Sequence, residues 1–362
     1  MTACPALLAA SPPRDEDAVR PARYAEKLDD GAVRCSLCPR RCVVVPGGRG
    51  YCRVRENRAG NYFTLVYGAA CTTNVDPIEK KPFFHVLPGT TAFSLATVGC
   101  NMQCKFCQNW EISQASPGTL PAPYAAPAEV AEAARRRGTA TVAFTYGEPS
   151  VFYEYMVDCA KAAQSAGLGS VVVSNGFINA DPLKELTGVV SAIKIDLKGF
   201  TQKYYEEVCG ASLQPVLDTL KRLKESGIWF ELVVLVVPTL NDAPDDIRRL
   251  SAWVAKELGR DVPLHFTRFH PTYKLQTLPR TPPETLMKAR EIAMEEGCRF
   301  VYTGNMPGTD AEHTYCPGCR KPVIRRYGMQ VLANDLKDGR CSACKTEIPG
   351  LWRLRVTASS AT

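Results

Sequence analysis

The sequence contains no apolar run long enough to cross a membrane and carries no strong net charge. Its longest apolar stretch, residues 229–238, includes Glu231 and is about half of the ~20 residues that a transmembrane helix needs. The first ten residues lack the basic leader and full apolar core of a secretory signal peptide. The net charge of +7, from 44 basic and 37 acidic residues, gives no reason to expect nucleic acid binding. We therefore expect a cytoplasmic protein that binds neither membrane nor nucleic acid.

Cysteine, in contrast, is abundant. Of the 16 cysteines, eleven form three tight groups: Cys35, Cys38, Cys42 and Cys52; Cys100, Cys104 and Cys107; Cys316, Cys319, Cys341 and Cys344. A disulfide framework is one interpretation of so many cysteines. However, Cys-x2-Cys pairs in a long chain without a secretion signal indicate metal binding in a reducing compartment. The length of 362 residues also exceeds one ordinary core, so we expect two or three domains.

The middle cysteine group lies on one short loop, residues 97–110, with the spacing Cys-x3-Cys-x2-Cys. No further cysteine follows until Cys159. Three neighbouring thiolates suit a [4Fe-4S] cluster, and the missing fourth leaves one iron open for chemistry. A zinc loop or three reduced structural thiols are the alternatives. Zinc knuckles favour paired Cys-x2-Cys units, whereas this loop has one pair and an offset cysteine, so the spacing favours the cluster.

From residue 93 onward, short β-branched runs alternate with amphipathic stretches. Strands are expected at 93–98, 140–145, 170–174, 189–195, 230–236, 263–267 and 299–302. Helices are expected at 127–137, 152–166, 182–186, 213–226, 244–258 and 283–296, many ending at a glycine. This alternation predicts parallel strands joined by right-handed crossovers, and hence an α/β fold with a partial or full βα barrel. Polar, glycine-rich segments follow six of these strands, where barrels carry their chemistry.

Residues 67–90, between the first two cysteine groups, include the segment Asp76-Pro-Ile-Glu79-Lys80-Lys81-Pro82. Four charges beside two prolines do not suit a buried strand. We interpret this stretch as a solvated loop. Because it leads into the three-cysteine loop, a place over the active site is the alternative. Cys71 is expected to be a small buried thiol.

Several motifs together resemble the pyruvate formate-lyase activating-enzyme branch of the radical S-adenosylmethionine (SAM) proteins. They are the three-cysteine loop with Gln-Asn after it, Thr-Tyr-Gly-Glu-Pro, Ser-Asn-Gly, Asp-Leu-Lys-Gly and Arg-Phe-His-Pro. The leading Cys-x2-Cys-Pro-x2-Cys, the Asp-Pro-Ile-Glu-Lys-Lys-Pro segment and the Cys-Pro-x-Cys tail narrow the resemblance to the AmmeMemoRadiSam system radical SAM enzymes. It covers nearly the whole chain beyond residue 30. It implies a partial (β/α)6 radical SAM barrel between an N-terminal Cys-rich segment and a C-terminal zinc-ribbon or rubredoxin-like module.

The resemblance also implies where SAM binds. Glu148 would hold the amino group of SAM, a pairing of carboxylate with ammonium. Four further residues are implied in SAM binding: Ser174, Asp196 and Lys198 on its carboxylate and ribose side, and His270 nearby. Activases usually carry two glycines before the glutamate, and Tyr146 replaces one of them here. A strand-end ion pair is the alternative interpretation of Asp196 and Lys198.

The two outer cysteine groups predict two further metal sites. The N-terminal four, at x2, x3 and x9 spacing, could hold zinc or an auxiliary iron–sulfur cluster, and neither is favoured. In the tail, 21 residues separate Cys319 from Cys341, which predicts a zinc ribbon or a rubredoxin-like iron site. Iron would make the tail an electron relay, and zinc would make it a structural or docking element. We thus expect a disordered lead-in (1–22), an N-terminal Cys4 segment (23–90), the barrel (91–305) and a C-terminal Cys4 module (306–362).

The function implied by the resemblance is reductive cleavage of SAM at the [4Fe-4S] cluster. The resulting 5′-deoxyadenosyl radical would abstract hydrogen from a substrate that the sequence does not identify. A reductant such as flavodoxin or ferredoxin is implied, as are Memo-like and AMMECR-like partner proteins. The nearest alternative is a glycyl-radical enzyme activase, and the second is a non-catalytic metal-binding scaffold. We assign no side chain a catalytic role beyond holding the cluster and SAM.

Overall fold

The computed structural model describes residues 15–354. The predicted disordered lead-in lies mostly outside this part, and its described residues form a 3-10 turn at Asp15–Ala18 and a first strand. The N-terminal strands are β1 (Arg20–Pro21), β2 (Ala25–Lys27), β3 (Val33–Cys35), β4 (Val43–Val44), β5 (Arg55–Arg58) and β6 (Asn61–Thr64). They form two antiparallel sheets with the orders β1-β6-β5 and β2-β3-β4.

An eight-stranded sheet forms the centre of the molecule. Its strands are β7 (Thr72–Pro77), β8 (Thr91–Ala96), β9 (Thr141–Phe144), β10 (Gly169–Ser174), β11 (Ala192–Asp196), β12 (Trp229–Val236), β13 (Leu264–Arg268) and β14 (Val301–Gly304). From β8 to β14 every strand pairs in parallel with the next one along the chain. The predicted parallel α/β sheet is therefore confirmed, with all seven expected strands present.

The helices of the described residues are α1 (Trp110–Ser113), α2 (Pro127–Arg136), α3 (Tyr153–Ser165), α4 (Ala180–Thr187), α5 (Gln202–Tyr204), α6 (Gln214–Ser226), α7 (Pro244–Trp253) and α8 (Pro283–Glu295). Helices α5 and α7 continue as π-helical turns at Tyr205–Cys209 and Val254–Leu258. The helix α6 illustrates why these segments are helical. It buries a stripe at helical spacing that includes Val216, Leu220 and Leu223, and it ends at Gly227 with φ +72°.

The interpretation of residues 67–90 as a solvated loop is wrong. Strand β7 lies antiparallel to β8 at the edge of the sheet, and a 3-10 turn at Ile78–Lys80 follows it. Asp76, Glu79 and Lys81 are buried, each at 4% exposure or less. Their charges are tolerated because each has an oppositely charged neighbour in the fold. The central sheet thus begins at Thr72, inside the segment 23–90 that was expected to be a separate N-terminal unit.

The C-terminal part consists of short antiparallel strands around the last cysteine group. They are β15 (Thr314–Tyr315), β16 (Pro322–Tyr327), β17 (Gln330–Asn334), β18 (Leu336–Lys337) and β19 (Arg340–Cys341). A small apolar cluster joins this part to the sheet, since Phe84 and Tyr302 pack with Val323 and Ile348. No helix within residues 15–354 is both long and apolar enough to cross a bilayer.

Candidate active site

A cavity of about 1560 Å³ opens where the parallel strands end. The three-cysteine loop contributes Cys100, Cys104 and Cys107 to its wall. Its other walls come from three parts of the chain: the ends of β9 to β14, residues 70–82 around β7, and the hairpin at 327–331. The polar segments after β8, β9, β10 and β11 therefore gather at one rim, as expected, whereas residues 238–242 and 268–271 after β12 and β13 do not line the cavity. The C-terminal part forms a wall of the same cavity.

The three-cysteine loop is held against the π-helical turn after α5. The backbone N–H groups of Gln103 and Lys105 donate to the carbonyl oxygens of Cys209 and Val208, both at 2.9 Å. The thiol of Cys209 also lies within hydrogen-bonding reach of Cys104. The sequence analysis did not include Cys209 in the site, because its separation from the loop gives no spacing signal. These contacts fix the loop from behind while its cysteines face the cavity.

Glu148 is a buried carboxylate whose described hydrogen-bond donors are all neutral. One oxygen accepts from the Ser150 backbone N–H at 3.0 Å and the Ser174 hydroxyl at 2.8 Å. The other accepts from the Asn175 backbone N–H at 2.8 Å. Burial raises the pKa of Glu148, and these hydrogen bonds oppose the rise without cancelling it. A buried carboxylate without a cationic partner, lining a cavity, suits a ligand that carries an ammonium group.

Asp196 lies between two lysines at the end of β11. Its oxygens accept from the Lys194 ammonium group and, at 2.9 Å, from that of Lys198. Burial alone would raise the pKa of Asp196, but the two ammonium groups lower it to about 2. The sequence analysis did not single out Lys194. The strand periodicity could have indicated Lys194, because every second side chain of a strand lies on the same face, as residues 194, 196 and 198 would.

The remaining two predicted SAM residues differ in their placement. Ser174 lines the cavity, but its hydroxyl donates to Glu148, so it orients that carboxylate. His270 is not among the described residues that line the cavity. Burial and the positive charges of Arg280 and Arg268 lower the pKa of His270.

Tyr146, which replaces the usual glycine, has a left-handed backbone with φ +64°. Such a conformation costs a bulky L-residue about 1–2 kcal/mol, and glycine would adopt it freely. The Tyr146 hydroxyl donates to Asp76, and its backbone carbonyl accepts from the Asn109 side chain at 2.9 Å. The tyrosine thus connects the β7 segment, the three-cysteine loop and the Glu148 turn.

The family model of the radical SAM superfamily matches residues 94–251. The uncharacterized protein MJ0808 of Methanocaldococcus jannaschii is 46% identical over 332 residues, which cover 91% of this chain and 99% of that relative. The chain belongs to the radical SAM superfamily. A pyruvate formate-lyase-activating enzyme of Listeria monocytogenes is 25% identical over 43% of this chain and 66% of its own length. A radical SAM methyltransferase from Sphaerobacter thermophilus has the same fold, with a TM-score of 0.50 at 14% identity, covering 80% of this chain and 78% of its own.

The radical SAM assignment confirms that the protein is an enzyme of the radical SAM oxidoreductase or activating-enzyme type. It implies a [4Fe-4S] cluster, SAM and a reductant. The residues present fit the cluster and SAM. Three cysteines face the cavity, and the carboxylate of Glu148 forms no ion pair with the described cations, since Lys194 acts on it only at longer range.

The N-terminal cysteine group of this radical SAM enzyme encloses a second, small cavity. All four cysteines line it, together with the buried Arg55 and with Asn101 and Ser150 from the main site. Its volume is about 20 Å³, enough for a water molecule. The Nε–H of Arg55 has no hydrogen-bond partner in the described structure. One terminal nitrogen, Nη2, donates to both oxygens of Glu154 at 2.7 Å, and the other, Nη1, donates to the Arg23 carbonyl at 3.0 Å. The site thus has an enclosed space and a buried donor without an acceptor.

The C-terminal cysteine group is more compact. Its four sulfur atoms all lie within 4.8 Å of one another, with 3.4 Å between Cys316 and Cys344 and 3.7 Å between Cys319 and Cys341. A tetrahedral ion with metal–sulfur bonds of about 2.3 Å needs sulfur atoms about 3.8 Å apart. The Thr346 hydroxyl helps to lower the pKa of the Cys344 thiol to about 6. Among residues 15–354 no other group of His, Cys, Asp or Glu ligands is equally compact.

Proposed function

We propose that this enzyme cleaves SAM reductively and uses the 5′-deoxyadenosyl radical to abstract hydrogen from a substrate bound in the same cavity. The observation that carries the proposal is Glu148, a buried carboxylate with three neutral donors and no described cationic partner, beside three cavity-lining cysteines. When bound on Cys100, Cys104 and Cys107, the [4Fe-4S] cluster supplies the electron for cleavage. We further propose that the chain is of the AmmeMemoRadiSam type, with a partial (β/α)6 barrel.

The chain's own residues would position SAM. Glu148 would accept hydrogen bonds from the ammonium group of the SAM methionine, and the Ser174 hydroxyl would hold the Glu148 carboxylate in place. Lys198 and Asp196 would contact the carboxylate and ribose side of SAM. Lys194 completes the ion-pair network around Asp196. His270 remains in the proposal as a residue near SAM. Because His270 does not line the cavity, its side chain would have to move into the cavity to contact SAM.

A glycyl-radical activase is the second candidate, supported by the 25% identity to a pyruvate formate-lyase-activating enzyme. Under that candidate a partner protein would show a glycine-centred radical when mixed with the reduced enzyme and SAM. The non-catalytic scaffold is set aside, because the protein is an enzyme of the radical SAM type and a scaffold gives no role to the Glu148 site. Further parts of the proposal are flavodoxin or ferredoxin as reductant, Memo-like and AMMECR-like partners, a cytoplasmic location and the divisions at residues 22 and 305. The division at residue 90 is not kept, because β7 pairs with β8 across it.

The N-terminal cysteines are proposed to hold an auxiliary iron–sulfur cluster rather than zinc. Two observations support this choice. Their sulfur atoms lack the compactness of the C-terminal group, which matches a single tetrahedral ion. Arg55 lines the small cavity between the four cysteines, and its unpartnered Nε–H would donate to a bridging sulfide or a thiolate. The C-terminal cysteines are proposed to hold one tetrahedral ion, zinc as in a ribbon or iron as in rubredoxin.

The test is release of 5′-deoxyadenosine by the anaerobically reconstituted, reduced enzyme. We expect release by the parent and none by Cys104→Ala. Glu148→Gln should weaken SAM binding by about tenfold or more, because a charge-assisted hydrogen bond is lost. Glu284→Gln, at an exposed position on α8, is the matched control and should bind SAM normally. SAM cleavage by Cys104→Ala, or unchanged SAM affinity of Glu148→Gln, would contradict the proposal.

A further inference from the structure

Asp76, near the end of β7, forms a triad of charged side chains with Lys80 and Lys81 beside the proposed SAM site. One oxygen of Asp76 accepts from the Lys80 ammonium group at 2.7 Å, and the other accepts from Lys81 at 2.5 Å. The Tyr146 hydroxyl donates to the same oxygen as Lys81. Lys80, Lys81 and Tyr146 line the main cavity. The triad therefore faces the space in which SAM and substrate would meet.

The triad has more hydrogen-bond donors and more positive charge than its own carboxylate satisfies. An ammonium group has three N–H donors. Within the described residues Asp76 is the hydrogen-bond acceptor of Lys81, whose side chain is only 2% exposed. Lys81 also lies 4.9 Å from the centre of the Tyr146 ring, which offers its face but no lone pair. Two lysines against one aspartate leave a net charge of +1, so donors and charge both remain for an anion.

The segment after β7 is held rigidly in this position. Glu231 in β12 accepts from the backbone N–H groups of Phe84 and His85 at 3.0 and 2.8 Å. Arg326 from the C-terminal part donates to the Phe84 carbonyl at 2.7 Å. Tyr146 keeps a strained left-handed backbone while its hydroxyl contacts Asp76. Buried, braced charges of this kind suit a preorganised binding site better than a solvated loop.

The cavity has room for a second ligand besides SAM. Its volume of about 1560 Å³ exceeds the 300–1,000 Å³ typical of a site for one small molecule. Asp196 with Lys194 and Lys198 forms a second lysine–aspartate–lysine arrangement, which the proposed function assigns to SAM. Lys81 and Lys194 line the same cavity, and the charge of Lys194 helps to lower the pKa of Lys81, so the two arrangements are neighbours. One arrangement is thus left for the substrate.

We propose that Lys80 and Lys81, positioned by Asp76, bind an anionic group of the substrate, a carboxylate or a phosphate. This inference rests on the proposed function, because it takes SAM to fill the neighbouring arrangement. Lys81 donates to the anion while Asp76 and Tyr146 hold its direction. Lys80, whose side chain is 43% exposed, closes the site toward solvent. Burial lowers the pKa of Lys81 to about 8 against the opposing charge of Asp76, so the ammonium form still predominates at pH 7.

The test measures binding by calorimetry, with inorganic pyrophosphate and succinate as separate probes. The protein is the full chain, reconstituted without oxygen and saturated with SAM. We expect one of the two anions to bind at one site, and Lys81→Met to weaken it by about tenfold or more. The probe that binds decides between phosphate and carboxylate. Lys161→Met, at an exposed position on α3, is the matched control and should bind as the parent does.

Two further variants keep the result decisive. Lys81→Arg retains the charge and should recover most of the affinity. If Lys81→Met does not fold, Lys80→Met replaces it, because that side chain is partly exposed and its removal should still weaken binding. Failure of both probes to bind the parent, or equal affinity in the lysine-to-methionine variants, would overturn the inference. Since binding is measured without turnover, a protein that binds the anion but does not cleave SAM would refute the proposed function alone.

Discussion

The two outer cysteine groups have the same number of ligands and quite different backbones. In the C-terminal group two identical turns face each other. The N–H groups of Arg320 and Lys345 donate to the carbonyls of Cys316 and Cys341, both at 2.9 Å, and both residues have a left-handed backbone. Such a repeat brings two Cys-x2-Cys pairs together as a tetrahedron. The N-terminal group has no such repeat, because three of its cysteines come from one turn and Cys52 comes from another.

The surroundings of the two groups differ as well. In the C-terminal group Cys344 is exposed, although Cys316 and Cys341 are buried. The N-terminal group borders the radical SAM site, since Arg40 donates to the Asn101 carbonyl at 2.9 Å and stacks at 3.6 Å on Tyr51. The comparison teaches that four cysteines do not identify a metal. The spacing of the sulfur atoms and the polar groups behind them are the features on which the proposed mononuclear site and the proposed cluster site differ.

The largest expected effect comes from removing one ligand of each group. Cys38→Ala should lose about four irons with their sulfides, as expected for loss of a cubane cluster. Cys341→Ala should lose a single metal ion and no sulfide. Cys71→Ala is the control, because this thiol lies outside all three groups and donates to the Ala96 carbonyl. Iron, zinc and sulfide analysis of the reconstituted proteins measures all three.

This comparison breaks if Cys38→Ala loses one metal ion and no sulfide. The N-terminal group would then hold a mononuclear ion like the C-terminal one. In that case the four sulfur atoms of the N-terminal group would move closer together when the ion binds, and their wider spacing would not indicate a different cofactor.

A smaller effect is expected from Arg55, which lies behind the N-terminal group. Arg55 and Glu154 are 1% and 6% exposed, so Arg55→Met leaves a buried carboxylate unpaired. We expect a loss of about 3–5 kcal/mol in the free energy of unfolding. Arg49→Met is the matched control, because its pair with Glu56 is 41% exposed on the arginine side and should contribute about 0–1 kcal/mol. Denaturant unfolding measures both.

The double variant Arg55→Met with Glu154→Met separates stability from the cofactor. It removes both buried charges, so most of the lost stability should return. The unpartnered Nε–H of Arg55, a residue that lines the cavity of the four cysteines, stays absent. If an iron–sulfur cluster accepts from that group, the absorption or reduction potential of the N-terminal centre should still differ from the parent. An unchanged centre in the double variant would mean that Arg55 serves Glu154 alone.

Local sequence patterns predicted the parallel sheet because each strand and helix is encoded within about ten residues. The strand at 170–174 and the glycine that ends α6 are readable without knowing their neighbours. The β7 segment was misread because the burial of Asp76 depends on Tyr146, 70 residues away. Likewise, no motif indicates that Arg55 closes the N-terminal group or that the tail hairpin borders the cavity. Glu148, Ser174, Asp196 and Lys198 line the same cavity as the three loop cysteines, whereas His270 does not, and their contacts with SAM stay predictions.

The smallest expected effect concerns a hydroxyl beside the C-terminal group. Thr346 Oγ1 lies 3.2 Å from the sulfur of Cys344, and Thr346→Val removes this hydrogen bond at nearly constant shape. Partners of metal ligands typically change metal affinity by 10–100-fold, and we expect about tenfold here because Cys344 is exposed and water can replace the hydroxyl. Competition with a chelator measures the affinity, with Ser342→Ala as the control. The iron and sulfide of the N-terminal group should not change. If they do, the two groups are coupled through the fold, and the contrast between an independent outer ion and an enclosed cluster cannot hold.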